Sequence, residues 1–463
     1  MHVDAQVTLT ASDPQLVDGF RWAKRQALAY VFTGDPVGDW YEAALPGRAA
    51  FCMRDVAHQS GGAQVLGLRR HTHNMLRKFA AAIAASRDWC SYWEIDRHDR
   101  PCPIDYTDDS DFWYNLPANF DLLACAYREY LWTGDRRYLD DPVFRAFYAR
   151  TVGEYIQTWD KDGDGIPEAY PAYGRRGIAS YNEAIARPLM GGDLIAAQFG
   201  AFRAYAAILD ATGDPARAAQ MRTQAARLRA LYESKWWDER TARFASFRRH
   251  DGTFASGYPG ITNFFPLYMG LIGDPRKMRA ALAAAAQSRT QLNVEDRSYL
   301  PLIFFRYGLH DLAYAELKTQ MDPGYARRQY PEVSYAAIDS IAAGLMGLDP
   351  DATNRTVTTC AGLTAQTGWV ELDHVPIFDN RIRVRHLQPR TTSFANLSGP
   401  PLRWRAAFAG PVEELLIDGA RCVPMQGADA QGQTCAWVEL TLGAQTEHTV
   451  TALNHGIHHD RFY

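Results

Sequence analysis

The stretch ILDATGDPARAAQMRTQAARLRALY, residues 208–232, decides the fold class. Gly213 suits the left-handed residue that closes one helix, Asp214 caps the next, and Pro215 fits its first turn. Beyond that junction Met221, Ala225, Leu228 and Tyr232 fall at i, i+4, i+7 and i+11, with Arg222, Arg227 and Arg229 around them. This spacing predicts an amphipathic helix whose apolar stripe needs another helix to cover it. Near-copies of the junction recur at Thr33-Gly34-Asp35-Pro36, Thr133-Gly134-Asp135, Ile272-Gly273-Asp274-Pro275 and Gly347-Leu348-Asp349-Pro350. The stretches 73–86, 118–132, 143–158, 192–211, 275–287 and 310–320 are similarly rich in Ala and Leu. From about residue 14 to 350 the chain thus reads as helical hairpins joined by longer loops, at 36–62, 87–117, 160–191, 235–265, 288–300 and 321–335. Such loops, clustered at one end of a scaffold, are where a site is expected.

After about residue 353 the pattern changes. Arg381-Ile382-Arg383-Val384-Arg385 and Val438-Glu439-Leu440-Thr441-Leu442 alternate polar and apolar, and Gly and Pro cut the rest into short pieces such as 402–408 and 413–417. Period-two alternation predicts antiparallel strands in a small β-sandwich. The expected division is a helical domain over 1–355 and a β-sandwich over 356–463 that supports it. Glu371 and Asp373 are expected on its solvent-facing side.

The 463 residues are 47% hydrophobic and 22% charged, with a formal net charge of −4, which fits a globular protein and not a disordered one. No basic block or stripe supports nucleic-acid binding. No apolar run approaches the roughly 20 residues of a membrane span. The N-terminal segment MHVDAQVTLTASDP lacks the layout of a secretory signal, so the expectation is a cytoplasmic protein, or a periplasmic or secreted one if a leader precedes this sequence. Seven cysteines, with no CxxC pair, argue against a disulfide scaffold or a cysteine-bound zinc. His71 and His73, with His455, His458 and His459 in the tail, form no HExxH box, and no Gly-rich phosphate loop is present. Neither a metal nor a cofactor is expected.

Several loops concentrate chemistry. Trp40-Tyr41-Glu42 through Arg48, then Phe51-Cys52-Met53-Arg54-Asp55-Val56-Ala57-His58, gathers carboxylates, arginines, a histidine and aromatics. Arg54-Asp55 reads equally as an internal ion pair, and Cys52 as a buried small side chain. Asp105-Tyr106-Thr107-Asp108-Asp109-Ser110-Asp111-Phe112-Trp113-Tyr114-Asn115 sets acids beside rings, as a sugar subsite or a cation site would. Asp160-Lys161-Asp162-Gly163-Asp164-Gly165 starts like an EF-hand, but Pro171 occupies the position of the bidentate Glu, so a shaped turn is the reading. Tyr181-Asn182-Glu183 and Tyr330-Pro331-Glu332 each place one Glu among aromatic and small polar residues. Two such acids on one rim are the minimum for cleaving a glycosidic bond, one as acid and one as base.

At these residues the chain resembles the six-hairpin glycosidase superfamily. The likeness rests on Ser12-Asp13-Pro14 with Arg54-Asp55, on Asp162-Gly163-Asp164-Gly165-Ile166-Pro167 with Tyr181-Asn182-Glu183 and Trp237-Asp238, and on Glu332 ahead of the last inner helix. The resemblance implies a mainly α fold, an (α/α)6 toroid with the small C-terminal antiparallel β-sandwich, and an exo-acting, inverting glycoside hydrolase. It implies Glu183 as general acid, with a pKa raised by Tyr181, Ala184 and Ile185, and Glu332 as an ionised base. The loop 40–59 is also similar to glycoside hydrolase family 154, which implies a β-glucuronide held by Arg48, Arg54 and His58. Glu42, Arg54, Asp55, His58, Asp109, Trp113 and Tyr181 are expected around one pocket, with Tyr114 beside them. The expected partner is an oligosaccharide or glycoside. Two other readings stay open: a uronate lyase using His58, Tyr114-Asn115 or Tyr181-Asn182, and a non-catalytic carbohydrate-binding protein.

Overall fold

The computed structural model describes residues 5–170, 176–185, 187–429 and 431–453. His455, His458, His459 and Pro171 lie outside them. The junction at 212–215 forms as its letters predict. Helix Gly192–Thr212 ends on Gly213 at φ +88°, and Asp214 caps helix Pro215–Lys235 by accepting from the Arg217 backbone at 3.1 Å. Helix Pro117–Thr133 ends likewise on Gly134, and Asp274 caps helix Pro275–Ser288.

The two outermost copies behave differently. Thr33-Gly34-Asp35-Pro36 sits at the turn of the hairpin Val31–Asp35 and Gly38–Tyr41. There the Asp35 carboxylate accepts from Trp40 Nε1 at 2.8 Å and pairs with Arg97 at 2.7 Å, leaving no helix to cap. Gly347 ends the last helical turn, but Asp349–Asp351 is a strand paired with Thr356–Cys360.

Six helices are buried on most faces: Met53–Val65, Pro117–Thr133, Gly192–Thr212, Ile261–Tyr268, Leu300–Arg306 and Pro331–Asp339. Each packs on the next in chain order, and Pro331–Asp339 packs back on Met53–Val65, closing the circuit. Around them lie Pro14–Ala29, Arg69–Ala81, Pro142–Arg150, Pro215–Lys235, Pro275–Ser288 and His310–Met321. These outer helices bury one stripe each. In Pro215–Lys235 it is Ala218, Ala225, Leu228 and Tyr232, close to the stripe read from the spacing. Contrary to the expectation of no span-length apolar segment, helix Gly192–Thr212 is long and apolar enough to cross a membrane; here neighbouring helices bury most of it.

Gly61 and Gly62 let Met53–Val65 lie against Pro331–Asp339. A Cβ at Gly62 would stand 2.1 Å from the Tyr335 carbonyl oxygen. Gly62→Ala is expected to cost about 1–3 kcal/mol or more through overpacking, read as a lower urea midpoint.

The C-terminal region forms two sheets. One has seven antiparallel strands, and its edge strand is Thr8–Ala11, contributed by the N-terminal segment against Trp369–Ile377. The other has five strands, one of which, Asp349–Asp351, precedes the expected boundary at 355/356. Its pair Thr356–Cys360 and Leu402–Ala409 runs parallel, so the expectation of a wholly antiparallel sandwich is corrected. Alternation reveals strands but not their direction, which long connections set. Phe394 of the first sheet stacks on Trp404 of the second at 5.3 Å. The sheets hold the helices through Trp132 Nε1 to the Pro376 carbonyl at 2.8 Å and His386 to the Met346 carbonyl at 3.0 Å.

Candidate active site

One cavity of about 530 Å³ opens where several buried helices begin. Arg54 and Asp55 stand in the first turn of Met53–Val65, and Glu332 in the first turn of Pro331–Asp339. These residues were expected on loops; they lie instead on helix N-termini, whose partial positive charge favours carboxylates. Arg54 Nε donates to Asp55 Oδ1 at 3.0 Å, and its guanidinium lies 5.9 Å from the Tyr181 ring centroid. Glu332 is 3% exposed and its Oε2 has no hydrogen-bond partner. Burial, then the neighbouring Asp55 charge, push its carboxyl well above the usual range. That shift favours the protonated form, whereas an ionised base was expected.

Glu183 is placed differently. It is exposed at the cavity rim, with Asn115 Nδ2 at 3.5 Å from its Oε1. The expected desolvation fails because Tyr181 and Ile185 turn inward from the bend while Glu183 and Ala184 turn out. Asp193, the first-turn acid of Gly192–Thr212, pins that bend: its carboxylate accepts from Ser180 Oγ at 3.0 Å and from the Tyr181 backbone. Burial pushes Asp193 up to about 6. Asp193→Ala is expected to lower stability by about 1–3 kcal/mol and to reduce turnover, because the bend carrying Glu183 loses its anchor. Urea unfolding and steady-state rates check both.

Arg48, Trp113 and Tyr181 also line the cavity. Glu42, His58, Asp109 and Tyr114 do not, and each has structural work elsewhere. Glu42 Oε1 accepts from the Ala49 backbone at 3.1 Å, bracing the turn that carries Arg48. His58 points deeper, stacked on Tyr299 at 3.5 Å and bonded to Ser298 Oγ at 2.7 Å. Burial, then Arg54 and Arg128, push its imidazole down to about 3. Asp109 accepts from Arg87 at 2.7 Å and Tyr106 at 2.8 Å. Tyr114 packs on Trp159 at 4.7 Å. Cys52 reaches the wall, but burial pushes its thiol up, so it stays protonated.

The cavity also takes in Asp105 from the acidic loop and adds residues that were not singled out: Trp93, Glu94, Glu295, Asp296 and Arg327. Burial pushes Asp296 up to about 7, with Arg54 opposing. Asn293 caps its short helix at 2.7 Å, so in sequence Asn293-Val294-Glu295-Asp296 reads as a plain helix start. Beneath the wall, Tyr181 donates to buried Asp121 at 3.2 Å. In the turn at 160–168, Asp160, Asp162 and Glu168 gather, and they accept backbone N–H groups from Gly163, Gly165, Asp164 and Lys161.

Residues 154–300 match the family model described as a mannosylglycerate hydrolase MGH1-like glycoside hydrolase domain. That match supports the resemblance to six-hairpin glycosidases over this segment, and the likeness to the solved structures below is one of fold. Among solved structures it is similar to a GH78 family rhamnosidase of Bacillus sp. GL1, with 12% identity, TM-score 0.62, and coverage of 85% of this chain and 41% of that one. An alpha-L-rhamnosidase from Dictyoglumus thermophilum gives 11% identity and TM-score 0.62 over 97% of this chain and 51% of that one. A kojibiose phosphorylase, described as putative, from the human microbiome gives 11% identity and TM-score 0.56 over 96% and 68%. The chain thus spans about half or less of the two rhamnosidases. No curated protein matches by sequence. The family match includes Glu183, Asp193 and Asp296 and leaves Asp55, Glu94 and Glu332 outside it.

Proposed function

We propose that this chain is an exo-acting glycoside hydrolase and that its closed circuit of hairpins is the (α/α)6 toroid of the superfamily. The observation that carries this reading is the single cavity whose wall combines a buried, proton-holding carboxyl at Glu332 with a solvent-reaching carboxyl at Glu183, beside Trp93, Trp113 and Tyr181. Glycosidic cleavage needs that division, one acid to protonate the leaving oxygen and one base to activate water. The burial of Glu332 and the exposure of Glu183 favour Glu332 as donor and Glu183 as base, which exchanges the roles inferred from resemblance. A single displacement with inversion is the course that the resemblance implies.

A uronate lyase is less well supported. Burial holds the Tyr181 phenol protonated, and His58 is outside the cavity wall. The β-glucuronide expectation rested on Arg48, Arg54 and His58. Arg48 faces Glu94 at 3.1 Å, Arg54 faces Asp55 at 3.0 Å, and the remaining wall arginine, Arg327, faces Glu295 at 2.9 Å. A sugar carboxylate would have to displace one of these partners. Incubation with a panel of aryl glycosides and glycuronides tests the reading. Release of reducing sugar supports it; an unsaturated, ultraviolet-absorbing product, or no turnover across the panel, contradicts it.

A further inference from the structure

The cavity has an end that the proposed acid and base do not use. Glu94 begins the strand Glu94–Asp96 and sits opposite Cys52 in an antiparallel pair, which turns its side chain into the cavity. It is 1% exposed, and apart from the facing Asp105 carboxyl and the Arg48 ion pair neither of its oxygens has a hydrogen-bond partner. Arg48 Nη1 stands 3.1 Å from Glu94 Oε2 without the alignment of a hydrogen bond. Asp105 lines the same end, and its Oδ2 likewise has no other hydrogen-bond partner. Each carboxyl oxygen has two lone pairs, so one carboxyl–carboxyl contact and one ion pair leave acceptor positions open to a ligand's donors.

The protonation state narrows that ligand. Burial, then the facing Asp105, push Glu94 up to about 9. Near neutral pH Glu94 therefore keeps its proton, with the Asp105 carboxyl and Arg48 facing it. Such a group both donates and accepts, as a pair of neighbouring hydroxyls does. Trp93, next in sequence and on the same wall, offers an apolar face for the C–H side of a ring. Each of the three wall arginines already faces a wall carboxyl, so an anionic sugar meets no free cation there.

We propose that Glu94, Asp105 and Arg48 form the sugar-gripping end of the cavity and select a glycosyl ring that is uncharged and carries adjacent free hydroxyls. This rests on the glycosidase reading for its setting but is measured by binding, apart from turnover. Wild type, E94Q and D105N are titrated with free neutral monosaccharides, their uronic acid counterparts and single-deoxy analogues, with circular dichroism to verify folding. In parallel, each protein is given the matching aryl glycosides. The expected result is that wild type binds a neutral sugar more tightly than its uronic acid. Both variants should weaken that binding by about tenfold or more, and deoxygenation should cost wild type more than E94Q. Should E94Q misfold, D105N, which keeps the Arg48–Glu94 pair, decides. Preference for the uronic acid, unchanged binding in the folded variants, or no binding of any sugar overturns the proposal. Binding that is lost in the variants while wild type cleaves no glycoside would keep this inference and remove the hydrolase reading.

Discussion

Glu332→Gln is expected to lower kcat on a glycoside with a poor leaving group by about a hundredfold or more, while a substrate with an acidic leaving group keeps much of its rate. The reason is the proton. General acid catalysis contributes roughly 10²–10⁴-fold, and a leaving group that departs as a stable anion has no use for it. The same substitution should change stability with a definite sign. Glu332 in the folded chain keeps its proton far above the ordinary 4.5, so the folded state binds more protons than the unfolded one as pH rises past that value. Stability contributed at this site is therefore full below pH 4.5 and falls by up to about 1.4 kcal/mol per pH unit above it. Gln removes that slope. The variant should melt higher than wild type at pH 8 and gain less, or nothing, at pH 4. If E332Q keeps near-normal turnover, the donor is misassigned, and Asp296, held near 7 on the same wall, is the next candidate.

Glu183→Gln is expected to cost about a hundredfold or more with good and poor leaving groups alike, because an uncharged amide cannot take the proton of the attacking water. Steady-state rates across a series of aryl glycosides read this as a parallel drop. The pair of variants distinguishes the two assignments: the steep dependence on leaving group belongs to E332Q here, whereas the roles drawn from resemblance place it on E183Q. Stability should hardly move, since Glu183 is exposed.

What the sequence revealed follows the range of the forces involved. Thr212-Gly213-Asp214-Pro215 was readable because a C-cap glycine and an N-cap aspartate act within a few residues. The same four letters were misleading at Thr33-Gly34-Asp35-Pro36, where Trp40 and Arg97 claim the Asp35 carboxylate. The edge strand Thr8–Ala11 was missed because its partner lies more than 350 residues away, and the parallel pair of Leu402–Ala409 for the same kind of reason. At the site, Arg54-Asp55, Tyr181 with Glu183, and Glu332 stood out as acids among rings, and they line one cavity. Glu94 and Asp296 did not, because their raised pKa values come from burial and from facing groups that no local pattern shows. His58 and Asp109 looked like binding groups by composition alone; Ser298 and Tyr299 hold the one, and Arg87 and Tyr106 the other.

The central claim is that water is delivered to an anomeric carbon in this cavity. Hydrolysis in ¹⁸O-labelled water, with both products weighed by mass spectrometry, tests it most directly. One heavy oxygen is expected on the released sugar and none on the aglycone, with loss of the labelled product in E332Q and E183Q with a poor leaving group. An unsaturated sugar without the label, heavy oxygen on the aglycone, or labelled sugar formed at undiminished rate by both variants would contradict it.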